Sequence, residues 1–190
     1  MLFSTKESDT GPEGLTHRTT GTEKPAAHHY VMGRKAAVLD SIGELTRGMF
    51  MPFVTQGKWS THELLSAILR HTGPAAVELA TYSMTEDPVR MLVNYLNDGS
   101  ITELLAVCDK RFRTQQPQAM QLAEANFPIA LIDIHAKCMT VHNADWDISV
   151  LMSSNFTRNK RMECGIIIED AGNRQFHTKW MTDAFRGAVD

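Results

Sequence analysis

His135-Ala136-Lys137 sets an imidazole and an ammonium two residues apart, in a stretch that reads as a strand over residues 135–141. On a strand, side chains at i and i+2 leave the same face, so the two groups point into one site. A neutral imidazole is a nucleophile, and an ammonium beside it neutralises oxygens on phosphorus. The pair therefore suits attack on a phosphate ester. Taken alone, the triplet equally describes an ordinary strand with exposed polar side chains. His177-Thr178-Lys179 repeats the pattern near the C-terminus. A helix is predicted there, and on a helix i and i+2 diverge. His177 and Lys179 are read as surface residues of that last helix.

More polar residues follow the first triplet in order. Ser153, Ser154 and Asn155 come after an apolar run at 146–152, and Glu163 opens another at 163–168. Basic residues gather at Lys110, Arg111 and Arg113, and again at Arg158, Lys160 and Arg161. Charge runs are usually solvated loops. If strand ends and the turn after Asn155 converge on one rim, these residues face a polyanion, with Lys110, Arg111 and Arg158 as substrate-binding candidates. Tyr82 and Trp59 carry rings that can stack on a base, but core packing is the expected use of both.

The elements that must position these groups are legible as periodicities. Val38, Leu39, Ile42 and Leu45 have helical spacing, with Gly48 as a stop. The apolar run at 49–54 contains Pro52, which suggests an edge strand or a bend. Ser60-Thr61-His62-Glu63 is a capping box in front of Leu64, Leu65, Ile68 and Leu69, and Gly73-Pro74 ends that helix. Residues 75–82 read as a strand, and Asp87-Pro88 opens a helix that stops near Gly99. A strand at 101–107, a helix at 119–125 and a strand at 127–132 follow. Three strands (135–141, 146–152, 163–168) and a helix with Phe176, Trp180, Met181 and Phe185 close the chain. The alternation predicts an α/β fold, a mixed β-sheet flanked by helices on both faces. No internal repeat of the His135 stretch is present.

Composition bounds the function. The 190 residues are 43% apolar and 22% charged, enough for one buried core without disulfides or metals. Residues 1–35 are polar and rich in Gly and Thr, and are expected to be a flexible tail ahead of a single domain at 36–190. The His28-His29 pair is read as incidental to that tail. The net charge of −3 announces no global basic field, so a nucleic-acid partner would have to be met by a local patch. Cys108, Cys138 and Cys164 form no C-x-x-C pair and are expected to be reduced core thiols. No apolar leader or membrane-spanning run is present, so the expectation is a cytoplasmic protein with no stable membrane association.

The segment HAKCMTVHNADWDISVLMSSNFTRNKRMECGIII resembles the phospholipase D superfamily motif: H-x-K, an Asp, a Gly/Ser-Ser-x-Asn turn after a strand, then a Glu before another strand. Ser153-Ser154-Asn155 matches the turn, Asn155-Phe-Thr its continuation, and Glu163 the acidic residue. AAVELATYSMTEDP is similar to the strand and turn that precede the first helix of single-motif nucleases of that family, and the resemblance runs roughly from Lys58 to Trp180. Three departures stand out. His142 occupies the family's place for the Asp, while Asp145, seven residues before Met152, keeps the spacing to the serine and is taken as the motif Asp with a structural role. Met152 replaces the Gly before the serine, and the stretch from Asn155 to Glu163 is short.

The resemblance implies a phospholipase D-like fold and a catalytic set of His135, Lys137, Asn155 and Glu163. In that set His135 attacks phosphorus to give a phosphohistidine, while Lys137 and Asn155 hold the non-bridging oxygens with the Ser153 hydroxyl as a further donor. Glu163 orients the imidazole. It implies no metal and no cofactor. The single motif copy implies a homodimer facing across a two-fold axis. The expected activity is a metal-independent phosphodiesterase, an endonuclease acting on DNA or RNA. The alternatives are an inactive nucleic-acid-binding or assembly module of the same fold, and a phospholipid-acting phosphodiesterase.

Overall fold

The computed structural model describes residues 27–28, 30–32, 38–158 and 160–189. Most of the expected tail over 1–35, together with His29, lies outside the described residues. In chain order the described elements are β1 (Ala27–His28), β2 (Val31–Met32), α1 (Val38–Ile42), β3 (Met49–Val54), α2 (Thr61–Thr72), β4 (Ala75–Thr81) and α3 (Glu86–Asn97). There follow β5 (Ile101–Asp109), α4 (Phe112–Gln115), α5 (Pro117–Glu124), β6 (Ile129–Ile132), β7 (Cys138–His142), β8 (Asp147–Met152), β9 (Cys164–Glu169) and α6 (Ala171–Val189).

The strands form one mixed sheet in the order β1-β3-β9-β8-β7-β4-β5-β6, with β2 also on β3. β4, β5 and β6 run parallel, joined by helical crossovers, while along β4-β7-β8-β9-β3 each strand is antiparallel to its neighbour. Connection length accounts for part of this: the four-residue turn at 143–146 can join β7 and β8 only as antiparallel neighbours, and α3 and α4–α5 are long enough to carry the chain back for a parallel strand. β3 has neighbours on both sides. β1 meets Met49 and Phe50, β2 meets Phe53 and Val54, and Met51-Pro52 falls between them. Pro52, which cannot donate to a ladder, thus sits where no described strand pairs on that side.

Alternation sorts the side chains onto two faces. Val77 and Leu79 of β4, Met139 and Val141 of β7, and Ile148 and Val150 of β8 enter the main core beneath Leu64, Leu65 and Ile68 of α2 and Val89 and Leu92 of α3. Ala80 and Cys138 face the other way, onto Met181 of α6 with Leu151 and Trp180 around them. The sheet is therefore covered by helices on both faces, as its strand patterns required.

The capping box opens α2 as expected: the Ser60 backbone N–H donates to Glu63 Oε2 at 2.8 Å. Gly73 closes it at φ 73°, a left-handed conformation that glycine adopts without penalty. The helix expected to open at Asp87-Pro88 starts earlier, with Thr85 as N-cap. Pro88 still lies in the first turn, where its missing N–H costs no intrahelical bond. Among the described residues, no helix is long and apolar enough to cross a membrane.

Candidate active site

Three segments meet at one end of the sheet: the approach to β7, the turn after β8, and the start of β9. Together they line an open cleft of about 410 Å³ built from His135, Lys137, Ser153, Asn155, Thr157, Arg158, Arg161 and Glu163. The lining holds three basic side chains, Lys137, Arg158 and Arg161, and one carboxylate, so an acidic chain carries a locally positive cleft that suits an anion.

The turn after β8 is anchored from below. Phe156 is fully buried, and its backbone N–H donates to Thr81 Oγ1 at 3.1 Å. The Asn155 carbonyl accepts from Thr61 Oγ1 at 3.2 Å, Ser154 Oγ at 3.0 Å and the Thr157 N–H at 2.8 Å. With its backbone held on three sides, the Asn155 side chain has little freedom. Its Oδ1 is buried without a hydrogen-bond partner. Asn155 lines the cleft, and its amide carries N–H donors of the kind an anion needs.

Met152, at the position where the resembled motif has glycine, does not line the cleft. Its side chain packs against the main core, and its Sδ accepts from Thr61 Oγ1 at 3.2 Å. The space is supplied across the ladder by Gly165, the register partner of Met152. A Cβ on Gly165 would stand 2.9 Å from Met152 Cβ and 2.5 Å from the Leu151 carbonyl oxygen.

His135 and Lys137 lie just before β7, not within it as the strand reading expected. The ladder reaches only as far as Lys137, whose carbonyl accepts from the Met152 N–H at 3.1 Å. Even so, the two side chains share a site: Lys137 Nζ is 3.2 Å from His135 Nδ1 and 2.6 Å from the His135 carbonyl oxygen. An ammonium only donates, so Nδ1 is the acceptor there and the neutral ring carries its proton on Nε2. Partial burial lowers the Lys137 pKa from its ordinary value, and the Glu163 carboxylate opposes that shift.

Glu163 is placed by Ser153 and by a loop that sequence reading overlooked. The Ser153 hydroxyl donates to Glu163 Oε2 and accepts from the Cys164 N–H at 3.1 Å. From the other side, Thr55 N–H donates to the Glu163 carbonyl at 2.8 Å, and the Glu163 N–H donates to Thr55 Oγ1 at 3.1 Å. Cys164, expected in the core, is exposed because β9 begins at the rim; Cys108 and Cys138 are buried.

Arg158 reaches the cleft as expected, and Arg161 and Thr157 join it. Lys110 and Arg111 do not line it. Lys110 pairs with Asp133 at 2.8 Å, and Arg111 forms a two-point pair with Asp109 at 2.7 and 3.1 Å. Asp145, taken as the motif Asp, falls in the exposed turn at 143–146, where Asn143 Oδ1 caps the N–H groups of Asp145 and Trp146. The engaged side chain at that level is His142, whose Nε2 lies 3.1 Å from Glu78 Oε1. Trp59 is core, its ring tilted at 47° against Phe53 with centroids 5.1 Å apart. Tyr82 is not: its ring stands 5.5 Å from the His135 ring at 62°. Its place at the C-terminal end of a central strand was the available signal. His177 and Lys179 sit on α6, bound to Trp180 and Asp183.

No family model matches the chain, and no curated protein sequence does. Solved structures do. The fold is similar to Nuc from Salmonella typhimurium, a phospholipase D family member, with TM-score 0.56 and 17% identity over 72% of this chain and 93% of that one. It is similar to NucT from Helicobacter pylori with TM-score 0.54 and 14% identity over 72% and 96%. It is also similar to TrmBL2, an archaeal chromatin protein described as binding DNA, with TM-score 0.51 and 10% identity over 77% and 55%. The chain has the phospholipase D-like fold.

Proposed function

We propose that this chain, built on the fold of the phospholipase D family nucleases, is a metal-independent phosphodiesterase that cleaves DNA or RNA through a phosphohistidine at His135. One observation carries the reading: His135, Lys137, Ser153, Asn155 and Glu163 come from three separate segments to one cleft, with Arg158 and Arg161 at its edge. In the proposed reaction His135 Nε2 attacks phosphorus, and a P–N bond forms as the P–O bond to the leaving oxygen breaks. Lys137, the Asn155 amide and the guanidinium groups neutralise the non-bridging oxygens. Water then attacks phosphorus and the P–N bond breaks.

The resting geometry supports a specific first event. Nε2 carries the proton while Lys137 holds Nδ1. A bound phosphate draws the ammonium away; Nδ1 then takes up a proton from solvent as Nε2 releases its own to solvent, and the new Nδ1–H donates to Glu163, which leaves the Nε2 lone pair free to attack. The leaving oxygen needs a proton, and one imidazole cannot serve both as nucleophile and as acid in the same step. A second His135, from a partner across a two-fold axis, fills that role.

The test is hydrolysis of DNA, RNA and a bis-aryl phosphodiester in excess EDTA. Turnover should survive EDTA and fall by roughly 10³-fold or more in His135→Ala, as for loss of a nucleophile. Activity abolished by EDTA would overturn the mechanism. The likeness to the chromatin protein TrmBL2 favours a second reading, a non-catalytic DNA-binding module. Salt-dependent binding without turnover, unchanged in His135→Ala, is its signature.

A further inference from the structure

We propose that Tyr82, gripped by Arg111 and Asp109, is a positioning residue that fixes the plane of the His135 imidazole; the inference rests on His135 being the reacting group. His135 needs such a support. It precedes β7, outside the ladder, and is exposed. Secondary structure therefore does not hold its ring, yet attack on phosphorus requires the nitrogen lone pair on line.

The support is built from the neighbouring parallel strands. Tyr82 directly follows β4, and its ring meets the His135 ring at 5.5 Å and 62°, a tilted edge-to-face contact. The Arg111 guanidinium lies over the same tyrosine, its Cζ 4.7 Å from the ring centroid. That guanidinium is itself fixed. Nε donates to Asp109 Oδ1 at 2.7 Å and Nη2 to Oδ2 at 3.1 Å, and the Arg111 backbone N–H donates to Oδ1 at 3.0 Å. Asp109 is 1% exposed at the end of β5. Its Oδ2 also accepts from the Ile134 N–H at 3.3 Å, the residue next to His135. One buried carboxylate thus sets both the wall beside the imidazole and the backbone that carries it.

Two details separate positioning from substrate binding. The Arg111 charge is already satisfied by Asp109, and Arg111 does not line the cleft. Among the described residues, the Tyr82 hydroxyl is met only by Gln115 Nε2 at 3.5 Å, so the ring and not the hydroxyl makes the contact that matters. The Arg111 hydrogen bonds hold the Asp109 carboxyl well below the usual carboxylate range, so the pair persists at any pH where the imidazole is neutral.

The experiment uses the full chain and the variants Tyr82→Leu, Tyr82→Phe and Arg111→Gln. It reads kcat and KM on a bis-aryl phosphodiester, and the ring resonances of His135 by NMR with labelled histidine. Tyr82→Leu should lower kcat by roughly 10²-fold with KM within about twofold, the signature of a misplaced reacting group. Arg111→Gln should lower kcat by about tenfold in the same way. Tyr82→Phe should rescue turnover, and the His135 resonances should move in Tyr82→Leu and return in Tyr82→Phe. A Tyr82→Phe variant as impaired as Tyr82→Leu would overturn the proposal, because the hydroxyl would then be reacting. So would a raised KM with kcat retained in Arg111→Gln, which would make the guanidinium a substrate ligand, or His135 resonances unmoved in Tyr82→Leu. If the wild type hydrolyses none of the diesters, the proposed activity fails, while the resonances still report whether Tyr82 holds the ring.

Discussion

Glu78 and His142 stand on neighbouring strands with their side chains under α6. His142 Nε2 is 3.1 Å from one carboxylate oxygen of Glu78; Thr178 Oγ1 donates to the other at 3.2 Å, and Thr140 Oγ1 donates to it as well. Burial alone would raise the Glu78 pKa, but these hydrogen bonds outweigh it and hold the carboxyl below its ordinary value. A carboxyl depressed in the folded state stabilises the fold above its unfolded-state pKa, and that contribution is lost as pH falls through the folded value. Glu78→Gln should therefore destabilise by about 1–3 kcal/mol at pH 7, the cost of a broken buried hydrogen-bond set. The gap to wild type should close below about pH 4. Urea unfolding across pH checks it; a gap unchanged at pH 3 would contradict the assignment. The same strands place the two candidates for the motif Asp position. Spacing to Ser153 favoured Asp145, but β7 and β8 are joined by a turn that consumes Asp145, and His142 remains in the sheet. Which residue a turn consumes depends on strand pairing, and local spacing does not contain that information.

The loop after β3 shows how an unremarked segment governs the cleft. Thr55 Oγ1 accepts from the N–H groups of Gly57 at 3.2 Å and Glu163 at 3.1 Å, and donates to the Arg161 carbonyl at 3.4 Å. Gly57, at φ 67°, comes so close to the next strand's approach that a Cβ would lie 2.1 Å from the Lys160 carbonyl oxygen. Thr55→Val keeps the shape and leaves two N–H groups unmet. It should cost roughly 2–4 kcal/mol at ~1–2 kcal/mol for each, and hydrogen exchange at the Glu163 amide should accelerate. Stability by urea unfolding and exchange by NMR check both; an unaltered Glu163 amide would mean that the loop does not hold the segment. Sequence periodicity located β3, its proline and the capping box of α2 because each is a local pattern. The clamp of Thr55 on Glu163 spans more than a hundred residues, and nothing near Thr55 announces it.

As an assembly, the proposed enzyme is one half of a site. The chain carries one copy of the His135 constellation, and the proposed chemistry needs two imidazoles. Dilution should lower specific activity below the dimer dissociation constant. Co-refolding wild type with an equal amount of His135→Ala should leave roughly a quarter of the wild-type activity per dimer, since only dimers with two histidines are complete. Half of the activity would mean that each chain works alone. The fold class, the two helical coats and the order of the site residues were all present in the sequence alone, because periodicity, caps and turn residues act over a few neighbours. The cleft's real composition came only with the tertiary structure. Tyr82 left the core for His135, Arg111 was claimed by Asp109, and Glu163 was seated by Ser153 and Thr55. Each of those outcomes is set by which strands lie side by side, and a linear spacing holds no record of that adjacency.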